Sequence, residues 1–349
     1  ADVKDLSLSR YGPKKIEYKS VLEAFRDKLG TAVNVMYSKG CDIVDPGWPD
    51  SEIITVNPSE EEMAGINDAV EKARNSDVII LVLGEDNNIV GESNSRTDLN
   101  LAGFQQLLLE KITETGKPVV LVLMNGRAIT INWADRNCQS VIEAWFPGKY
   151  GSEAIADIVF GDYNPGGKVP VTFTKSVGQI PMCFPFKPSA QADARTTVNG
   201  VLYPFGFGLS FTTFEYSNLK ISPEKQMAGG NIDVAVDVKN TGAIAGDEVV
   251  QLYLRDEVSS VIRFEKELRG FERISLAPGE TKTVHFTLTP EELQMLDRDM
   301  NWTVEPGWFS LMIGSSSVDI RQQGRFEILS TDRISRPYDS KPISSGLTW

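Results

Sequence analysis

Residues 78–101 read VIILVLGEDNNIVGESNSRTDLNL, and the reading of this stretch decides the fold. It opens on an unbroken apolar run, Val78 to Leu83, the pattern of a strand buried on both faces. The run gives way to Gly, Asn, Asp and Ser and holds two carboxylates, Glu85 and Glu92. Open α/β sheets bind their ligands outside the carboxyl ends of the strands. The loop therefore falls where an α/β domain places its chemistry.

Outward from this stretch, helix and strand patterns alternate between Tyr18 and Phe160. Val21, Leu22, Phe25 and Leu29 have helical spacing, and Gly30 stops that helix. Ala32 to Tyr37 reads as a short strand. Ser59 and Glu62 form a capping box ahead of a helix whose apolar face is Met63, Ile66, Ala69, Val70 and Ala73. Gly103 to Thr115 reads as a helix, Pro118 to Met124 and Ser140 to Trp145 as buried strands, and Tyr150 to Phe160 as a helix closed by Gly161. Repeated strand–helix units with continuous apolar strands predict a mostly parallel sheet between helices, an α/β sandwich.

The text then changes twice. Residues 162–213 are rich in Gly, Pro and Phe, as in DYNPGGKVPVTF and LYPFGFGLSFTTF, and predict an irregular wrap or a few edge strands on the first domain, then a linker. From Phe214 the period becomes two: Ile232, Val234, Val236 and Val238, then Val250, Leu252 and Leu254, then Val284, Phe286 and Leu288, then Phe309, Leu311 and Ile313. Short alternating strands between turns such as APGE and EPG predict an antiparallel β-sandwich. The expected division is 1–213, 214–330 and a polar tail, 331–349.

Composition narrows the function. The chain has 349 residues, a formal net charge of -13 and a hydrophobic fraction of 41%. An acidic chain lacks the basic face that nucleic acid or an anionic membrane requires, and no apolar run approaches the ~18 residues of a membrane span. Cys41, Cys138 and Cys183 are widely spaced and odd in number, without zinc spacing, and are expected as buried apolar residues. The single histidine, His285, removes most Ser-His, Cys-His and His-rich metal mechanisms, and its phase places it on the solvent side of a sandwich strand. No metal or cofactor site is expected. DYNPGGKV has Gly167 where a phosphate loop needs Lys, no G-x-G-x-x-G follows a strand, and GKYGSEA lacks the G-x-S-x-G of a nucleophile elbow. The chain opens ADVKDLSLSRYGPKK, polar and without an initiator Met, and reads as a piece beginning partway through a longer protein.

Glu85 and Glu92 remain. A single loop glutamate is more often a solvated surface group than a catalytic one. Glu92, however, lies well past the strand end among Ser93, Asn94, Ser95 and Arg96, an environment suited to a general acid/base. Glu85, at the strand tip, is expected to be structural or to orient its neighbours.

GESNSRTDLNLAGFQQLLLEKI, KPVVLVLMNGRAITINWA, EAWFPGKYGSEAIADIVFGDYNPGGKVPVTF and YPFGFGLSFTTFEYSNLKIS resemble the C-terminal half of glycoside hydrolase family 3, the β-glucosidase and β-xylosidase group. VKNTGAIAGDEVVQLYLRD and LRGFERISLAPGETKTVHFTL resemble the fibronectin type III-like domain that many members carry. The resemblance runs in order over nearly the whole chain. It implies a retaining exo-acting β-glycosidase with an Asp nucleophile on a barrel domain, absent here, and an acid/base Glu on a loop of the α/β sandwich. GESNSRTD matches that loop, so the resemblance makes Glu92 the acid/base; no catalytic role passes to Glu85. It further implies that the sandwich's first strand precedes Ala1 and that this chain alone is inactive. The implied partners are a β-linked glycoside or oligosaccharide and the barrel of the same protein, in a periplasmic or secreted setting. A non-catalytic carbohydrate-binding or scaffold module, with Trp48 or Tyr11 stacking on sugar rings, is the alternative from another class. Family chemistries that use a His acid/base are set aside, because His285 is in the wrong domain.

Overall fold

A computed structural model describes residues 1–4, 8, 11–12, 16–188 and 198–333. Of the expected tail, 331–349, Asp332 and Arg333 form a short strand rather than a tail, and residues 334–349 lie outside the described residues. Two compact units emerge: Ala1–Tyr163 with Thr172–Ile180 and Gly200–Tyr203, and the rest of the chain. This differs from the boundary expected at residue 213. Asn164–Val171 and Pro204 onward group with the second unit, so the Gly/Pro-rich wrap is divided between the two.

The first unit runs α1 (Val21–Leu29), α2 (Glu60–Arg74), β1 (Ile79–Gly84), α3 (Gln105–Thr113), β2 (Val119–Met124), α4 (Asn132–Asn137), β3 (Ser140–Glu143) and α5 (Gly151–Val159). Local chemistry starts the helices. Ser20 with Glu23 and Ser59 with Glu62 both form complete capping boxes, each satisfying N–H groups that a helix start leaves open. The strands pair in parallel in the order β1-β2-β3, Ile79 opposite Val119 and Val120 opposite Ser140.

Both faces of this sheet are covered, which explains the continuous apolar strands. Ile66 and Val70 of α2 and Leu108, Leu109 and Ile112 of α3 pack with Val119, Leu121 and Leu123. Val21 and Phe25 of α1 and Ile155 and Ala156 of α5 pack with the alternate residues Val122 and Met124. Each fully buried Leu or Ile contributes roughly 1.5–3 kcal/mol, so α1, α2, α3 and α5 hold the sheet from its two sides. Ala32–Tyr37 does not form the expected strand: it has no ladder partner among the described residues, and Val33 and Met36 are exposed. An alternating sequence without a neighbouring edge gains little from extension. The thiols of Cys41, Cys138 and Cys183 are free and only partly buried; Cys41 and Cys138 pack at the margin of the α2–α3 core, and burial pushes the Cys41 thiol up to about 12.

The second unit is a β-sandwich. One sheet holds β4 (Phe214–Ser222), β6 (Ile232–Asn240) and β9 (Thr281–Leu288). The other holds β5 (Lys225–Gln226), β7 (Gly246–Asp256), β8 (Glu267–Leu276), β12 (Gly307–Gly314) and β13 (Ile320–Ile328), in the order β5-β13-β12-β7-β8. Between β9 and β12 in sequence come α6 (Pro290–Leu293), β10 (Met295–Leu296) and β11 (Trp302–Val304), with β14 (Asp332–Arg333) completing a small third sheet. The core is made of the alternating residues read from the sequence, Val234, Val236 and Val238 with Leu252, Leu254, Phe309 and Leu311. His285 lies exposed on β9. Strand β7 departs from simple alternation, because Gln251 and Tyr253 are buried as well. Gln251 donates to the carbonyls of Gly206 (3.1 Å) and Ser315 (2.7 Å), and the Tyr253 ring meets Phe184 edge-on, so the wrap covers the strand's outer face. No helix among the described residues is long and apolar enough to cross a membrane.

Candidate active site

The carboxyl ends of β1, β2 and β3 converge on a polar cluster within the first unit. Strand β1 ends at Gly84, whose φ is 139° and where a Cβ would sit 2.1 Å from the Met124 carbonyl oxygen. Only glycine fits there. The Gln105 amide ties off this residue, accepting from the Gly84 N–H (2.7 Å) and donating to the Gly84 carbonyl (2.9 Å).

Glu85 follows and is almost wholly buried, its side chain 1% exposed. Its Oε1 meets two arginines, Arg96 Nη1 at 3.1 Å and Arg127 Nε at 3.1 Å, and its Oε2 accepts from the Gly126 N–H at 3.2 Å. Arg96 is the hub of the network. Its Nε bonds Glu52, its Nη2 donates to the Asn100 carbonyl (2.8 Å), and its guanidinium lies 5.3 Å from the centre of the Trp48 ring. Glu52 also accepts from the Thr97 N–H and hydroxyl, both at 2.9 Å. Burial alone would push the Glu52 carboxyl up, but the Thr97 and Arg96 donors outweigh it and hold it below the usual carboxylate range.

Glu92 stands apart from this buried network. It is exposed, at the tip of the loop that Glu85 begins and Arg96 anchors. Its backbone N–H donates to the Tyr11 hydroxyl at 2.9 Å. The backbone around it is unusual: Gly91 has φ 104° and Ser93, though not glycine, φ 69°. Such positive φ values at a polar turn persist only where the surroundings hold them. The structure thus separates the two carboxylates singled out in the sequence, Glu85 as a buried strut and Glu92 as a presented side chain.

Four site residues were not anticipated: Glu52 and Arg127, already placed in the network, and Asn125 and Glu143. Asn125, at the end of β2, is fully buried; it donates to the Arg127 carbonyl (2.7 Å), and its Oδ1 has no hydrogen-bond partner among the described residues. Glu143, at the end of β3, accepts from the Trp145 N–H (3.1 Å) and faces the Asn125 amide at 3.4 Å. Burial pushes the Glu143 carboxyl up to about 8; the Glu85 charge works in the same direction, and the Trp145 and Asn125 donors work against it. The signal in the sequence was positional: each apolar run ends on a polar residue, Glu85, Asn125 or Glu143, at the end where ligands collect.

Glu143 gives a pH prediction. Its folded value of about 8 lies above its ordinary value of 4.5, so the protonated form is the one the fold favours. Stability from this group is complete below pH 4.5 and is lost as the pH rises toward 8. Glu143→Gln should match the parent in acid and exceed it above pH 8 by on the order of 5 kcal/mol. Denaturant midpoints across that range test this, and a difference that does not change with pH would count against it.

The comparisons with known proteins agree with this architecture. Residues 7–211 match the glycosyl hydrolase family 3 C-terminal domain, and residues 248–317 match a fibronectin type III-like domain. A β-xylosidase from Formosa agariphila is 44% identical over 304 residues, covering 86% of this chain and 40% of the relative. A periplasmic β-glucosidase from Salmonella typhimurium is 39% identical over 327 residues, covering 89% of this chain and 42% of the relative. Among solved structures, a β-glucosidase from Erythrobacter marinus superposes with a TM-score of 0.82 at 36% identity, covering 92% of this chain and 45% of that one. The chain therefore spans about two-fifths of the length of the curated relatives it matches.

Proposed function

Because this chain belongs to glycoside hydrolase family 3 and joins that family's C-terminal domain to a fibronectin type III-like domain, we propose that it is the acid/base-bearing half of a retaining exo-acting β-glycosidase. A β-glucosidase is the first reading and a β-xylosidase the alternative, since the relatives carry both names. The observation that supports it most is the GESNSRTD loop beyond β1. Its two ends are fixed through buried Glu85 and Arg96, and Glu92 is left exposed between them.

In this reading a barrel domain supplies an Asp that attacks the anomeric carbon from the face opposite the leaving group. Glu92 gives its proton to the departing glycosidic oxygen. It then takes a proton from the water that releases the sugar, the two carboxylates being ~5 Å apart. The buried Glu85–Arg96–Glu52 network keeps the loop's base in place. The Arg96 guanidinium lies over the Trp48 ring and gives that indole a packing partner within its own unit.

The test is turnover of aryl β-glucosides and β-xylosides. The chain alone should hydrolyse neither, because without the barrel there is no attacking carboxylate. Joined to its barrel it should hydrolyse one of them, and the ratio of kcat/KM values assigns the glycone. Full turnover by the isolated chain would contradict the division of labour proposed here.

A further inference from the structure

Arg127 lies in the sequence NGR directly after β2, outside the loop that carries Glu92. Its guanidinium nevertheless reaches that loop three times. Nε pairs with Glu85 at the loop's first residue (3.1 Å), and Nη2 donates to the Ile89 carbonyl (2.6 Å) and meets the Asn94 carbonyl at 3.4 Å. These carbonyls bracket Glu92, one on each side of the turn formed by Gly91 and Ser93. The neighbouring Gly126 closes the same joint. A Cβ there would come within 2.3 Å of Val90 and 2.9 Å of Phe146, so loop and strand end are in direct contact. The Arg127 side chain is only 21% exposed.

We propose that Arg127 is a positioning residue for the acid/base: one rigid guanidinium joins both arms of the turn to the end of β2 and so fixes where Glu92 presents its carboxyl. The proposal rests on the reading of Glu92 given above. The planar fork explains why arginine serves here, since a lysine ammonium could hold Glu85 but could not span both carbonyls in a fixed plane. A misplacement of about 1 Å in a group that must donate along one line costs on the order of 100-fold in rate.

A double-mutant cycle in the enzyme completed by its barrel tests this. On a glycoside with a poor leaving group, Arg127→Lys and Arg127→Ala should lower kcat by about 10- to 100-fold with little change in KM. On an activated aryl glycoside, whose departure needs no proton, the loss in kcat/KM, which reports formation of the glycosyl-enzyme, should nearly vanish. In a Glu92→Ala background, Arg127→Lys should cost about 3-fold or less, because the group it positions is gone. On the chain alone, amide exchange across residues 88–95 should rise about tenfold in Arg127→Lys, with the amides of β2 unchanged. If Arg127→Ala does not fold, Arg127→Lys carries the test. Equal losses in both backgrounds, or unchanged exchange in the loop, overturn the positioning role while leaving Glu92 as acid/base. A Glu92→Ala enzyme fully active on the poor substrate overturns both.

Discussion

Glu92→Ala, in the enzyme completed by its barrel, is expected to lose about 10²- to 10⁴-fold in turnover of a glycoside whose leaving group is a sugar or simple alcohol. The size follows from the chemistry. An alkoxide is a poor leaving group, and only a proton delivered as the bond breaks makes its departure fast. A dinitrophenolate leaves unaided, so formation of the glycosyl-enzyme from a dinitrophenyl glycoside should stay near the parent rate. The second step then becomes limiting, because no base activates the water. Azide, small and needing no deprotonation, should enter the space vacated by the side chain and restore turnover as a β-glycosyl azide. That product retains configuration, which separates rescue at the acid/base position from rescue at the nucleophile. A uniform loss across leaving groups, with no effect of azide, would remove Glu92 from the reaction.

Arg96→Leu is expected to destabilise the α/β unit by about 3–5 kcal/mol. The arginine side chain is 2% exposed, and its partners Glu52 and Glu85 are 7% and 1% exposed. Removing the cation leaves buried carboxylates behind. Arg127 still pairs with Glu85, so Glu52 bears most of the cost. Arg96→Lys should recover only part of the loss, since one ammonium cannot reach Glu52, Glu85 and the Asn100 carbonyl together. A denaturant midpoint at unchanged slope measures the effect. A change below about 1 kcal/mol, the worth of an exposed pair, would mean that the cluster is effectively solvated.

Much of the fold was legible because its signals are local. The Ser59–Glu62 box sits where α2 begins, and the apolar runs at 79–84 and 119–124 became the paired strands β1 and β2. Ala32–Tyr37 failed because ladder pairing is not a property of a segment but of its neighbour. Strand β7 failed differently: its second buried face depends on Gly206 and Phe184, far away in sequence. The site divides the same way. Glu92 stood out through its loop, and the GESNSRTD motif gave it a role. The residues that steady the loop did not stand out. Arg127 meets Ile89 across 38 positions, and Glu52 meets Arg96 across 44, separations over which no periodicity carries information. Glu143 looked like an interior strand residue until the sheet brought its end beside Asn125 and Glu85.

The interleaving of the two units along the chain bears on how the molecule is made. The α/β unit recruits Thr172–Ile180 and Gly200–Tyr203 after the backbone has already contributed Asn164–Val171 to the sandwich. A ribosome therefore cannot release one finished unit before starting the next; the first waits for residue 203 to leave the exit tunnel. A protease faces the mirror of that constraint, since no single nick yields both halves whole.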